Sequence, residues 1–215
     1  YYSLIREAME SGELPTEGSY LPYLNFTLAA AEAGAVQEGP ENAYTSALFA
    51  LTLICGARDF TLVVGGLVTG DLDHGKSWTK HCADTTLNDR IDSRRHFTTA
   101  AALQAASNRG FAVSVGEFKE LNDTLKAGGF DFTDIAANNS GIRMSNLFMD
   151  ANLQDWPALR ARVQAERDVI VSYDGIPQIM SEADFNRTYG DIDDPRYLAM
   201  LNQIERKIDQ LSLHQ

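Results

Sequence analysis

The sequence predicts an all-α fold: a single compact multi-helix domain with a long polar loop near residues 70–90. Three observations carry that prediction. Helix punctuation by Gly, Pro and capping residues recurs from one end of the chain to the other. Alternating apolar and polar strand patterns are scarce. A central block offers three helix-length runs separated only by "NRG" and "GGFDF". With 215 residues, 44% hydrophobic and 22% charged, the chain can fill one sizeable core. The domain is read as residues 1–215, with 1–40 a looser N-terminal segment.

Taken in order, "SLIREAMESG" fits a first helix closed by Gly12. Residues 13–39 read as loop-rich, with an alanine-rich stretch at 28–33. "GPENAYTSALFALTLICG" then gives a helix with Pro40 in its first turn and Gly56 as its C-cap. "FTLVVGGLVTG" suits a short strand or a helix broken at Gly65-Gly66, and "DLDHGKSWTKHCADTTLND" is a polar excursion without periodicity. The central helices are expected at 91–107, 111–127 and 133–149, the last capped by Thr133. Asp155 ahead of Trp156-Pro157 opens a helix running to about Asp168. Ser181 starts a capping box, and Asp194-Pro195 opens a final amphipathic helix with Tyr197, Leu198, Leu201, Ile204, Ile208 and Leu211.

Charge and cysteine usage narrow the function. Thirty acidic residues against eighteen basic ones give a net charge of -12, which repels nucleic-acid backbones and argues against them as partners. No apolar run reaches the roughly 20 residues of a transmembrane helix. "SALFALTLICGA" is the nearest and reads as a buried helix. The chain opens on Tyr1-Tyr2, which leaves room for a signal or lipid anchor removed upstream. Cys55 and Cys82 can form one disulfide in an oxidising compartment or remain two buried thiols in a reducing one, and they sit in no zinc-ribbon spacing.

Helical projection gathers the polar residues of the central block. Asp92, His96, Thr99 and Leu103 share a stripe of the first helix, where Asp92 is placed to orient the imidazole. Glu120 and Asp123 lie about 60° apart on the second, beside small residues. Asp134, Asn138, Gly141 and Ser145 share a narrow stripe on the third. Small residues let helix axes approach, so the three stripes can close on one polar centre. Buried carboxylates there need Lys119, Arg94, Arg95, His96, water or a cation.

Three readings follow for that centre. His96, Glu120 and Asp123 are the metal-ligand candidates, and a divalent metal ion is the cofactor they could hold. His96, Glu120, Asp123 and Asp134 are the acid/base candidates, with Asp92, Lys119 and Asn138 as binding residues. Alternatively the cluster is a structural network that fixes helix packing. The spacing matches no specific ligand motif such as HExxH, and the three stay open on the residues alone.

The ordered segments "RIDSRRHFTTAAAL", "GEFKELND", "GFDFTDIAANNSG" and "SEADFNRTYGDIDDPRYLAMLNQIERKIDQL" resemble a family of uncharacterised bacterial proteins, often exported. That family carries D-x3-HF, G-x2-KE-x2-D and F-x3-DLAAN-x2-G motifs in this order, and a shortened form is similar to VanZ-like envelope proteins. The resemblance covers about residues 41–211 and points to His96, Phe97, Gly116, Lys119, Glu120, Asp123, Phe132, Asp134, Asn138 and Gly141. The chain departs from it at "SRR" before the histidine and at Ile135, where leucine is frequent. It implies a periplasmic or otherwise exported protein in a cell-envelope context and brings no assigned activity; the partner expected is a cell-envelope component or a protein, and a cytoplasmic enzyme is the alternative that free Cys55 and Cys82 thiols would favour.

Weaker signals carry less. His74 and His81 with Asp71, Asp73 and Asp84 lack EF-hand register and read as solvated loop charges. Ser93, Ser114 or Ser145 could complete a triad with His96 only on paper, because no G-x-S-x-G elbow exists. "GGLVTGD" lacks a nucleotide-binding pattern. Tyr20, Tyr23, Trp78 and Trp156 read either as core or as the lining of a groove for glycan or peptide. The function expected is an envelope protein with a metal-binding, hydrolase-like site, or a non-catalytic binding or scaffold protein whose polar cluster is structural.

Overall fold

A computed structural model describes residues 1–57, 60, 82, 84–107 and 130–215. Among them the chain forms eight α-helices and one pair of three-residue strands, the all-α architecture its punctuation predicts. The expected helix at 111–127, the "FTLVVGGLVTG" segment except Phe60, and most of the polar loop lie outside the described residues.

Helix α1, Tyr2–Glu10, buries Ile5, Ala8 and Met9, one face of a short amphipathic helix. Strand β1, Glu17–Ser19, follows, and then α2, Leu21–Glu38. This eighteen-residue helix corrects the loop-rich reading of residues 13–39. Its N-cap, Tyr20, supplies no side-chain hydrogen bond, but the Ser19 hydroxyl accepts from the Leu21 amide at 3.2 Å and Pro22 occupies the first turn. Packing holds the helix in place: Leu24, Leu28, Ala31 and Ala35, spaced four, three and four apart, are all buried. Gly39, at φ +82°, and Pro40 turn the chain directly into α3, Pro40–Cys55.

Strand β2, Asp84–Thr86, pairs in parallel with β1, Gly18 opposite Thr85. The disulfide Cys55–Cys82, with Cα atoms 5.4 Å apart, ties the end of α3 to the approach to β2. Helices α4, Ile91–Ser107, and α5, Phe132–Asp150, then pack side by side. The cap of α5 is Asp131, rather than Thr133, and it accepts from the Thr133 amide. Helix α6, Trp156–Ala161, is shorter than the expected run to Asp168, and a separate 3-10 turn occupies Glu166–Asp168. Helices α7, Glu182–Thr188, and α8, Pro195–Ile208, begin at Ser181 and Asp194, whose side chains accept from the amides of Asp184 and Arg196 as their capping motifs predict.

Among the described residues the buried apolar side chains form two cores. The larger contains Leu24, Leu28, Tyr44, Leu48, Leu51, Phe97, Ala101, Met144, Phe148 and Trp156. The smaller contains Phe132, Ala136, Val171, Ile176, Ile204 and Ile208, flanked by the rings of Phe130, Phe185, Tyr189 and Tyr197. Helix α5 contributes to both. Its Ala137, Met144 and Phe148 belong to the first core and its Phe132 and Ala136 to the second, so the polar residues of its first turns stand at the seam. Among the described residues, no helix is long and apolar enough to cross a membrane.

Candidate functional site

The seam is built on a close helix pair. Gly141 of α5 lies against the backbone of Phe97 in α4, where an added Cβ would stand 2.2 Å from the Phe97 carbonyl oxygen. Small residues on both surfaces, with Ala100, Ala101, Ala137 and Ser140 all buried, permit this approach. It brings the His96 stripe onto the Asp134–Asn138 stripe, as the projection predicts.

The His96 imidazole is 3% exposed and engaged at both nitrogens. Its Nε2 lies 3.3 Å from Asp134 Oδ2 and its Nδ1 3.2 Å from Asn138 Oδ1. A proton on Nε2 serves the carboxylate. The Asn138 amide, whose N and O exchange places by rotation, can then meet Nδ1 with a donor. Asp134 is thus the group that orients the ring. The expectation that Asp92 does so is corrected: Asp92 is exposed and pairs with Arg95 on its own helix, 3.4 Å away. On the first turn of α4 its side chain reaches solvent, whereas Asp134 faces the ring across the helix pair.

Arg90, just before α4, anchors the other side of Asp134. Its Nη2 is 3.0 Å from Asp131 Oδ2 and 4.0 Å from Asp134 Oδ1, and Nη1 donates to Thr133 Oγ1. Asp131 in turn accepts from the amide and hydroxyl of Thr133 at 2.8 and 2.6 Å, capping α5. Burial pulls the Arg90 guanidinium down, but the hydrogen bond and charge of Asp131 outweigh it and hold the group above its ordinary value. The Tyr173 ring lies beneath the guanidinium, 5.9 Å from it. Its hydroxyl donates to Ser93 Oγ at 2.6 Å, and burial pushes that phenol up to about 12. Asn139 reaches Glu205 of α8 at 2.7 Å, which extends the polar layer to the C-terminal helix.

Sequence reasoning found His96, Asp134 and Asn138, and the structure brings these three together. Glu120, Asp123 and Lys119 lie outside the described residues, as do His74, His81, Asp71, Asp73, Trp78 and Ser114. Among the described residues, no group of three or more His, Cys, Asp or Glu side chains is placed to hold a metal ion. Ser93 accepts from Tyr173 and Ser145 is fully buried, so the hydroxyl of neither faces a ring nitrogen of His96, which Asp134 and Asn138 occupy. Tyr20, Tyr23 and Trp156 are fully buried core residues, which corrects the groove alternative for these three. Arg90, Asp131 and Tyr173 were missed, and Thr133 was read only as a helix cap. Asp131-x-Thr133 has the form of a helix start and could have been read as a cap. Nothing near Tyr173 in the sequence points to Ser93, eighty positions away.

Arg94, expected as a counter-charge for the cluster, serves elsewhere. Its guanidinium is buried and donates to the carbonyls of Cys82 and Thr85, the latter at 2.8 Å. Compared with models of protein families, with curated proteins and with solved structures, the chain matches none.

Proposed function

We propose that this protein is a non-catalytic helical domain of the bacterial cell envelope, a binding or scaffold protein whose His96 cluster is a structural clamp. The observation that carries the reading is the engagement of both His96 nitrogens by Asp134 and Asn138 in a side chain that is 3% exposed. A general base or a metal ligand needs a ring nitrogen turned towards its substrate or ion. Here the ring joins α4 to α5, while Arg90–Asp131, Tyr173–Ser93 and Asn139–Glu205 join the two cores around it.

An exported location is supported by the Cys55–Cys82 disulfide, because such bonds persist in oxidising compartments. The resemblance of the ordered motifs to those of exported bacterial proteins points to the same location. The net charge of -12 weighs against an anionic membrane surface or a nucleic acid as the bound partner and favours a protein.

Elemental analysis of protein purified without chelator or affinity nickel, paired with thermal melts with and without EDTA, tests this reading. No stoichiometric metal, an EDTA-insensitive melt and a lowered melting temperature in His96→Ala are expected. A stoichiometric divalent ion that disappears in His96→Ala would overturn it. One observation favours that second reading, a metal-binding hydrolase-like site of His96, Glu120, Asp123 and Asp134. Among the described residues, Asp134 Oδ1 is buried without a hydrogen bond, and the Arg90 guanidinium stands 4.0 Å from it. A metal there would act as a Lewis acid on water or a carbonyl.

A further inference from the structure

Arg94 is 2% exposed and, among the described residues, forms no salt bridge with a carboxylate. A buried cation without a carboxylate in contact is costly unless its donors are satisfied. Among the described residues its acceptors are the Cys82 carbonyl, the Thr85 carbonyl at 2.8 Å and Thr85 Oγ1 at 3.0 Å, and its Nε has no hydrogen-bond partner there. Burial pushes the guanidinium down to about 10.

All three acceptors sit on Cys82 and β2, a segment held as well by the Tyr20 amide on the Thr86 carbonyl at 2.8 Å and by Leu87, which is buried in the larger core. The β1–β2 pair is only three residues long, too short to be stable by itself. The Thr85 hydroxyl donates to the Cys82 carbonyl at 2.8 Å, so Cys82 and Thr85 move together. Cys82 is also cross-linked to Cys55 at the end of α3, with both cysteines fully buried. The same strand leads through Asn88, whose amide donates to Glu166 at 2.6 Å, into Arg90 and the His96 clamp.

We infer that the Cys55–Cys82 disulfide and the buried Arg94 guanidinium form one redox-gated anchor, so that β2 docks on β1 and α4 only when the two cysteines are oxidised. Formation takes two electrons and two protons from the two thiols and passes them to an external disulfide, which leaves as two thiols. Reduction by dithiothreitol reverses this. Its thiolate attacks one cystine sulfur, its second thiol closes a cyclic disulfide, and Cys55 and Cys82 end as thiols. Released from Cys55, Cys82 and Thr85 can no longer hold the acceptors in place, and Arg94 turns to water. This inference stands independently of whether the His96 cluster is structural.

Amide hydrogen exchange on the full chain, oxidised and after dithiothreitol, tests it. In the reduced protein the amides of Tyr20, Thr85, Leu87 and Arg90 are expected to exchange on the order of tenfold faster, with α8 unchanged. Unchanged exchange at these amides, or an equal acceleration along the whole chain including unfolding, overturns the inference. Arg94→Met in the oxidised protein supplies a second readout, since it keeps an apolar stem in the site and removes the donors. Dithiothreitol is expected to reduce its disulfide on the order of tenfold faster than that of the native protein, because β2 no longer shields it. An unchanged reduction rate overturns the inference as well.

Discussion

His96 Nε2 and Asp134 Oδ2, 3.3 Å apart, join α4 to α5 at the boundary between the two apolar cores. Because Asp134 is 18% exposed and His96 3%, the contact is well shielded from solvent. His96→Ala and Asp134→Ala are each expected to cost about 1–3 kcal/mol, the scale for a hydrogen bond to a charged group left half-made. Their double variant should cost less than the sum, with a coupling of about 1 kcal/mol in a denaturant-based mutant cycle. Strict additivity would show that the two side chains share no energy.

Gly141 is where α4 and α5 come closest. An alanine there would place its Cβ 2.2 Å from the Phe97 carbonyl oxygen, a backbone atom that cannot rotate aside. Gly141→Ala is expected to lower stability by about 1–3 kcal/mol, as overpacking does, despite alanine's better helix propensity. The midpoint of a urea transition measures it. A neutral or stabilising outcome would mean the helices stand farther apart than described.

Asp131 has two tasks, one at each carboxylate oxygen: Oδ1 caps α5 and Oδ2 receives Arg90. Asp131→Asn keeps an acceptor for the cap and loses the charge, whereas Asp131→Ala loses both. The alanine variant is therefore expected to be the less stable by about 1 kcal/mol, the worth of an N-cap. Arg90→Met should sit near Asp131→Asn, since each breaks the same ion pair. Equal stabilities for the alanine and asparagine variants would remove the cap from the account.

Acid should unfold the protein in two stages. Burial, and then the nearby Arg143, hold the His214 imidazole below its ordinary 6.5, so the native state binds fewer protons than the unfolded chain. Its contribution is full above about 6.5 and is lost as pH falls through the native value. Burial raises the Asp168 carboxyl, but hydrogen bonds from Ser212 and the amides of Ala165 and Gln164 outweigh it and hold it low. Arg196 holds Asp194, the cap of α8, down to about 2. Both carboxylates stabilise fully above 3.8 and lose that contribution as pH drops through their native values. Melting temperatures measured from pH 7 to pH 2 should fall along both limbs, and His214→Gln should flatten only the upper one. A curve that is level between pH 7 and pH 4 in the native protein would remove His214 from this account.

Much of the helical skeleton was legible because helix signals are local. Pro40 and Gly56 bracket α3, Ser181 and Asp194 start α7 and α8, and the small-residue stripe of Asp134, Asn138 and Gly141 lies within two turns of one helix. Helix α2 escaped because its start signals, Ser19 and Pro22, stand in a stretch that otherwise reads as loop, and its stability comes from Leu24, Leu28 and Ala31 packing on residues distant in the chain. The strand pair was equally hidden, since β1 and β2 are three residues each and find one another across more than sixty positions.

The sequence by itself determined the helical class and put His96, Asp134 and Asn138 on faces that could meet, because a period of 3.6 residues is written within a single segment. Only the tertiary structure decided that Asp134 and not Asp92 holds the imidazole, that Arg94 serves β2 while Arg90 serves the cluster, and that Cys55 pairs with Cys82. Those choices depend on how closely α4 and α5 approach at Gly141 and on where β2 docks. A polar side chain takes the partner that packing leaves within about 3 Å, and no pattern inside one helix encodes that distance.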